Sequence, residues 1–234
     1  MEDFFPILMG FLVVTAVLGS IVGSIVMDKR RTRRFEEVAA ELQLQFFPDV
    51  TRLGSEMSGK FPLSHQLLSF KLASVGRGRR CRNMLFGDAG GMELAIFDYQ
   101  YTTGSGKNSS TKRQSVMYMS KAGHNFPHFM LRPEWFLDKF GSMLGLQDIN
   151  FKEHPQFSAA FVLQGQDEDA VRHMFTTDLM NYLMKHQSMT IEAYGDKMIF
   201  YRQNTRVSAA EVRAFMQDGF ELFGKLVEAA NNAQ

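Results

Sequence analysis

Asp98 stands where a charged residue has most reason to do chemistry. It sits in Phe97-Asp98-Tyr99-Gln100-Tyr101, within a run from Met92 to Tyr101 whose alternation predicts a strand. Leu94 and Ile96 face one way, and Ala95, Phe97, Tyr99 and Tyr101 face the other. A strand apolar on both faces is usually buried on both, and a buried carboxylate needs a partner. The turn Gly87-Asp88-Ala89-Gly90-Gly91 would bring Arg80 and Arg82 of the preceding segment alongside it, where a strand is expected over Arg82 to Phe86. Asp98, Arg80 and Arg82 therefore form either a buried structural ion pair or a site for a charged ligand. An enzyme using this spot would need scattered partners, because no Ser/His/Asp or Cys/His set can be assembled from the sequence.

Other chemistry-bearing spots carry less. Gly106-Lys107 lacks the Walker A frame: Tyr101 stands where the first glycine belongs, and Asn108 where Ser or Thr belongs. His124 and His128 have a helical metal spacing, but Pro127 and Gly123 oppose a helix there, and no carboxylate falls at matching spacing. Asp167-Glu168-Asp169 is read as an acidic helix start complementing the dipole. Asn108-Ser109-Ser110 matches a glycosylation sequon that a cytosolic loop would not present to that machinery. No metal or cofactor is expected from these patterns.

What must position Asp98 begins with the N-terminus. Phe4 to Met27 runs without a charge, and Asp28-Lys29-Arg30-Arg31-Thr32-Arg33-Arg34 follows at once. A helix needs ~20 apolar residues to cross the hydrocarbon core, so residues 1–27 are expected to be a transmembrane anchor. A signal peptide would carry its positive charge before the apolar stretch and a cleavage site after it. The cations lie after it, and the positive-inside rule then places the N-terminus outside and the bulk of the chain in the cytosol. Lys29, Arg30, Arg31, Arg33 and Arg34, in the juxtamembrane segment 28–34, are expected at the membrane surface, where each cation near anionic lipid contributes ~1 kcal/mol. Gly19 and Gly23 form a small-xxx-small face for helix packing, with Ser20 and Ser24 offset by one.

Composition bounds the remainder. With 45% hydrophobic residues, 22 Phe and 16 Met, the chain can build a real core. The single cysteine, Cys81, excludes an intramolecular disulfide and fits a reducing compartment. Net charge is +1, unevenly spread: residues 28–132 hold 17 Lys/Arg against 9 Asp/Glu, and residues 133–234 hold 9 against 14. A negative leaflet would favour the basic half facing the bilayer. No zinc-finger or RRM pattern points to nucleic acid.

The expected fold is α+β: one transmembrane helix, then a mixed helix and antiparallel-sheet cytosolic domain. Its halves are set at 35–132 (basic) and 133–234 (acidic, ending in a helix). Leu42-Gln43-Leu44 and Leu144-Gly145-Leu146, each after a helix, leave open a duplication into two similar lobes. Phe35 to Leu42 is helical and can continue the anchor. Leu44 to Phe47 is extended and stops at Pro48-Asp49, and 102–113 is a mobile hairpin loop before a strand from Gln114. Pro133 to Leu144 is a helix and Ala159 to Leu163 a strand. Met189 to Tyr194 and Lys197 to Arg202 form a hairpin over Gly195-Asp196. Ser208 and Glu211 make a capping box for a helix to Ala230, striped by Val212, Phe215, Met216, Phe220, Phe223, Leu226 and Val227.

Phe46-Phe47-Pro48, Asn83-Met84-Leu85-Phe86-Gly87, Phe97-Asp98-Tyr99-Gln100-Tyr101, Leu131-Arg132-Pro133-Glu134 and His154-Pro155-Gln156-Phe157-Ser158 follow the anchor in order. In this order the chain resembles a group of bacterial single-pass membrane proteins with an α+β cytosolic part. The resemblance implies residence in the inner (plasma) membrane and lends no activity. The expectation is a non-catalytic, membrane-anchored adaptor. Its partners would be the bilayer it spans, another membrane protein or a second copy of itself. The alternatives are an enzyme with a site near Asp98 and a sensor of anionic lipid headgroups.

Overall fold

The computed structural model describes residues 4–52, 63–135 and 147–232. Within these, the side chains of 4–14, 16, 17, 21, 50–52, 64 and 65 are outside the description. The chain opens on α1 (Phe4–Glu41), a single helix of 38 residues. Among the described residues no helix is long and apolar enough to cross a membrane. More than half of the apolar run expected to be the anchor lies outside the described side chains. The basic segment does not interrupt the helix. Straight-chain Lys and Arg are good helix formers, and Arg33 donates to Glu37 one turn on. Leu44 N–H bonds Ala39 O at 2.9 Å and Gln43 N–H bonds Ala40 O at 3.2 Å. This is a Schellman ending, with Gln43 at φ 57° in the position glycine usually takes.

Among the described residues nine antiparallel strands follow: β1 (Gln45–Arg52), β2 (Arg77–Asp88), β3 (Glu93–Thr103), β4 (Ser110–Ser120), β5 (Phe126–Pro133), β6 (Gln147–Ile149), β7 (Phe161–Gly165), β8 (Met189–Gly195) and β9 (Lys197–Arg202). They form one sheet in the order β1-β2-β3-β4-β9-β8-β5-β7-β6. The basic and acidic halves of the chain share it through the β4–β9 pairing, Val116 to Ser120 against Tyr201 to Lys197, and through β5, which lies between β8 and β7. The boundary drawn at 132/133 falls at the end of β5.

Both faces are covered, as the β3 pattern requires. Leu94 and Ile96 pack with Met117, Phe129, Ile191 and Phe200 under the end of α1, α4 (Glu168–Met174), α5 (Thr177–Met184) and α6 (Val212–Asn232). Ala95, Phe97, Tyr99 and Tyr101 pack under Leu63, Leu67, Phe70 and Leu72, which belong to α2 (Ser64–Leu68) and the turns around it. The capping box of Ser208 and Glu211 is present, over a short 3-10 turn that leads into α6. Gly219 lies in the buried stripe of α6, where a Cβ would stand 2.5 Å from Met117 Sδ and 2.8 Å from Phe200. Glycine here sets how closely the helix approaches the sheet.

Several local expectations are corrected. β1 continues through Pro48 to Arg52, because an edge strand has no second neighbour to miss the proline N–H. The loop expected over 102–113 shrinks to residues 104–109: Thr103 pairs with Ser110, and the Thr102 and Thr111 hydroxyls bond across the ladder at 3.1 Å. Residues 155–160 form a short helix, α3 (Pro155–Ala160), so the strand expected from Ala159 starts at Phe161. The helix expected over 133–144 falls largely on 136–146, outside the described residues.

Candidate functional site

Asp98 is on β3, on the face that carries Leu94 and Ile96, and it is 7% exposed. Its guanidinium partner is Arg31 of α1, not Arg80 or Arg82. Arg31 Nε donates to Oδ2 and Nη2 to Oδ1, both at 2.7 Å. Asn83 Nδ2 donates to Oδ2 at 2.9 Å and Ser115 Oγ to Oδ1 at 3.0 Å. Each carboxylate oxygen therefore accepts two bonds. The fork geometry of Arg suits this bidentate contact.

The correction has a physical reason. Arg82 lies directly opposite Asp98 in the β2–β3 register. Its side chain is 44% exposed, however, and lies 3.8 Å from Asp28. Arg80, two residues back, also lines the small pocket beside Asp98. The place next to the carboxylate is taken by α1, whose Phe35 and Ala39 are buried against the sheet. Arg31 is one turn before Phe35 on the same stripe, and its guanidinium carbon lies 4.4 Å from the centre of that ring. The side chain of Arg31 is only 16% exposed. It faces the sheet, so it leaves the set expected at the membrane surface. Lys29, Arg30, Arg33 and Arg34 are exposed.

Four further residues, Thr32, Asn83, Ser115 and Val207, complete the cluster. Between Arg82 and Leu85 the register shifts, setting Asn83 and Met84 against the single residue Phe97. This is a β-bulge, and Asn83 adopts φ 51° in it, a conformation Asn tolerates better than most residues. The bulge turns Asn83 toward Asp98, and its Oδ1 accepts from Thr32 Oγ1 of α1 at 2.8 Å. Ser115, opposite Asp98 on β4, also accepts from Val207 N–H at 3.0 Å. Val207 O in turn accepts from Arg31 Nη2 at 2.7 Å. One carboxylate thus ties together α1, β2, β3, β4 and the segment before α6.

This arrangement is a mechanical joint. A carboxylate whose lone pairs are all engaged is a poor base and a poor nucleophile. The pocket beside it, between Thr32, Arg80, Arg82 and Asn83, is about 40 Å³, the room of one or two water molecules. Gly19 and Gly23 are exposed, with no atom within 4 Å of a Cβ added at either. Among the described residues no group of three or more His, Cys, Asp or Glu is placed to hold a metal.

Sequence reasoning missed Arg31, Thr32, Asn83 and Ser115. A signal for Arg31 was present, since the stripe Phe35, Val38, Ala39, Leu42 extends backward to position 31. Nothing local marks Asn83 as a bulge.

No family model and no curated relative matches the sequence. Among solved structures the chain is similar to the mycobacterial trehalose monomycolate transport factor A, with a TM-score of 0.58 at 12% identity. The match covers 86% of this chain and 95% of that one. At this identity the likeness shows a shared fold.

Proposed function

We propose that this protein is a non-catalytic adaptor held at the cytoplasmic face of the inner (plasma) membrane by residues 4–27 of α1, with its N-terminus outside. The observation that carries the proposal is the continuity of α1. One helix begins in the apolar run, passes through the basic segment and packs its last turns on the core through Phe35 and Ala39, with Arg31 and Asp98 fixing it to the sheet. An adaptor built this way presents its surfaces at a set orientation to the bilayer, whereas a flexible tether would let the domain wander. The neighbour's description as a transport factor is consistent with a non-catalytic accessory role. Its trehalose monomycolate belongs to that protein.

Two measurements test this. Cys81 is fully buried, so thiol labelling of intact cells has little background. With an impermeant maleimide, Glu2→Cys should label from outside and Lys107→Cys only after permeabilisation; the reverse pattern overturns the topology. Purification of the full chain in gentle detergent with mass spectrometry should then recover a membrane protein at constant ratio, or a second copy of the chain. That recovery should weaken in Asp98→Asn, where the joint is loosened. Recovery of nothing, together with turnover of a substrate by the purified chain, would replace the adaptor with an enzyme.

A further inference from the structure

Seven arginines gather where α1 meets the sheet. Arg80, Arg82, Arg113 and Arg206 line the small pocket on one flank of the helix, and Arg30, Arg31 and Arg34 line a groove on the other. Of the acids lining these two hollows, Asp98 is engaged by Arg31, and Asp28 stands 3.8 Å from Arg82 and 3.7 Å from Arg206. Those last contacts are long and the Asp28 side chain is 56% exposed, so they hold Arg206 only weakly.

The groove is the larger hollow, about 320 Å³, between α1 and the turn 206–209. Arg30 and Arg34 stand one turn apart on the helix and Arg206 reaches in from the turn opposite. Arg30 and Arg34 make no ion pair among the described residues. At the turn that leads into α6 the backbone N–H groups of Ser208 and Glu211 are taken by the capping box, which leaves the arginines as the full positive charges of the groove. The charge of the groove is therefore arginine charge, forked and suited to phosphate oxygens.

Its height matters equally. The apolar run ends at Met27, which also lines the groove. At 1.5 Å per residue, Arg30 and Arg34 stand roughly 5 and 10 Å beyond it. A headgroup layer is roughly 5–8 Å deep. On the anchored reading the Arg30 end of the groove opens at the level of lipid phosphates, with Arg34 just beyond it, and Met27 offers an apolar edge beside the cations.

We infer that this groove binds the phosphate of an anionic phospholipid in the cytoplasmic leaflet, with Arg30, Arg34 and Arg206 as its cationic walls. The inference rests on the anchored reading proposed above. It differs from general polybasic attraction, in which every cation of the segment counts alike. Lys29 and Arg33 lie roughly 100° round the helix from Arg30 and Arg34, and they serve as the internal control.

The test is native mass spectrometry of the full chain, released from neutral-detergent micelles doped with phosphatidylglycerol or with phosphatidylcholine of the same chain length. One phosphatidylglycerol should be retained with about tenfold preference. Arg206→Gln should reduce retention about fivefold, the share expected of one cation near the surface. Arg30→Gln/Arg34→Gln should abolish the preference, while Lys29→Gln/Arg33→Gln, with the same loss of charge, should change it less than twofold. Equal losses in the two double variants would reduce the groove to a generic basic stretch and overturn the assignment. So would equal retention of the two lipids. Displacement of phosphatidylglycerol by millimolar inorganic phosphate would make it a free-anion site instead. Carbonate extraction of membranes separates the two proposals. A chain that washes out refutes the anchor, whereas a chain that stays embedded without lipid preference refutes the groove alone.

Discussion

Two carboxylates are buried on opposite faces of the sheet, and they are treated in opposite ways. Asp98 faces α1 and each of its oxygens accepts two hydrogen bonds. Glu192, on β8, is 1% exposed on the other face, beneath the turn at Lys71. One of its oxygens accepts from Lys71 N–H at 2.6 Å and stands 3.9 Å from His128 Nε2. Its second oxygen, with Thr190 Oγ1 and Tyr201 Oη, has no hydrogen-bond partner among the described residues. Burial also pushes the Tyr201 hydroxyl well above its ordinary pKa. A helix can deliver a guanidinium to a sheet, while a cover of Leu67, Phe70 and Leu72 offers little beyond backbone. Burial alone therefore does not make a charged residue a rigid joint; saturation of its hydrogen bonds does.

The sharpest way to break this contrast is Asp98→Asn. It leaves Arg31 part-buried without its anion, and unfolding of the full chain in micelles should show a loss of about 3–5 kcal/mol. A loss below about 1 kcal/mol would mean that the joint bears no strain. Ser115→Ala comes next: it removes one donor to Asp98 and one acceptor for Val207 N–H, for about 2 kcal/mol by the same assay. On the other face, Thr190→Val and Tyr201→Phe remove hydroxyls that satisfy nothing. Each should be neutral or stabilising by up to about 1 kcal/mol, and a clear destabilisation would erase the difference between the two faces.

The smallest effect expected is a pH slope. The Glu192 carboxylate raises the His128 pKa, against the lowering effect of burial. A raised folded-state value makes the contribution complete below the unfolded value of about 6.5. It is then lost as pH rises through the folded value. His128 is 31% exposed, so the slope should stay below about 1 kcal/mol. His128→Gln should flatten it in melts taken between pH 5 and 8.

Much of the fold was legible because its signals are local. The burial of β3 on both faces, the Gly195-Asp196 hairpin and the Ser208–Glu211 box each lie within a dozen residues. The buried stripe of α6 was read slightly off centre: it runs through Gly219, Leu222 and Ala229, while Met216, Phe220 and Val227 pack at its edge. The β4–β9 neighbourhood joins segments some 80 residues apart, and no alternation announces it. The joint was half legible. Asp98 stood out as a charge among apolar neighbours, but Arg31 was hidden among like residues. The positive-inside rule counts charges and ignores which side of a helix carries them.

That last point gives the unbroken helix a further consequence. With 3.6 residues per turn, the Gly19/Gly23 face lies about 140° round α1 from the Arg31, Phe35 and Ala39 face. The helix therefore carries a phase as well as a position. A neighbour seated on the glycines would meet the sheet from the far side, and a pair of chains joined there would point their sheets outward, away from each other. Inserting one residue between Gly23 and Arg31 would rotate that bearing by about 100° without altering either contact.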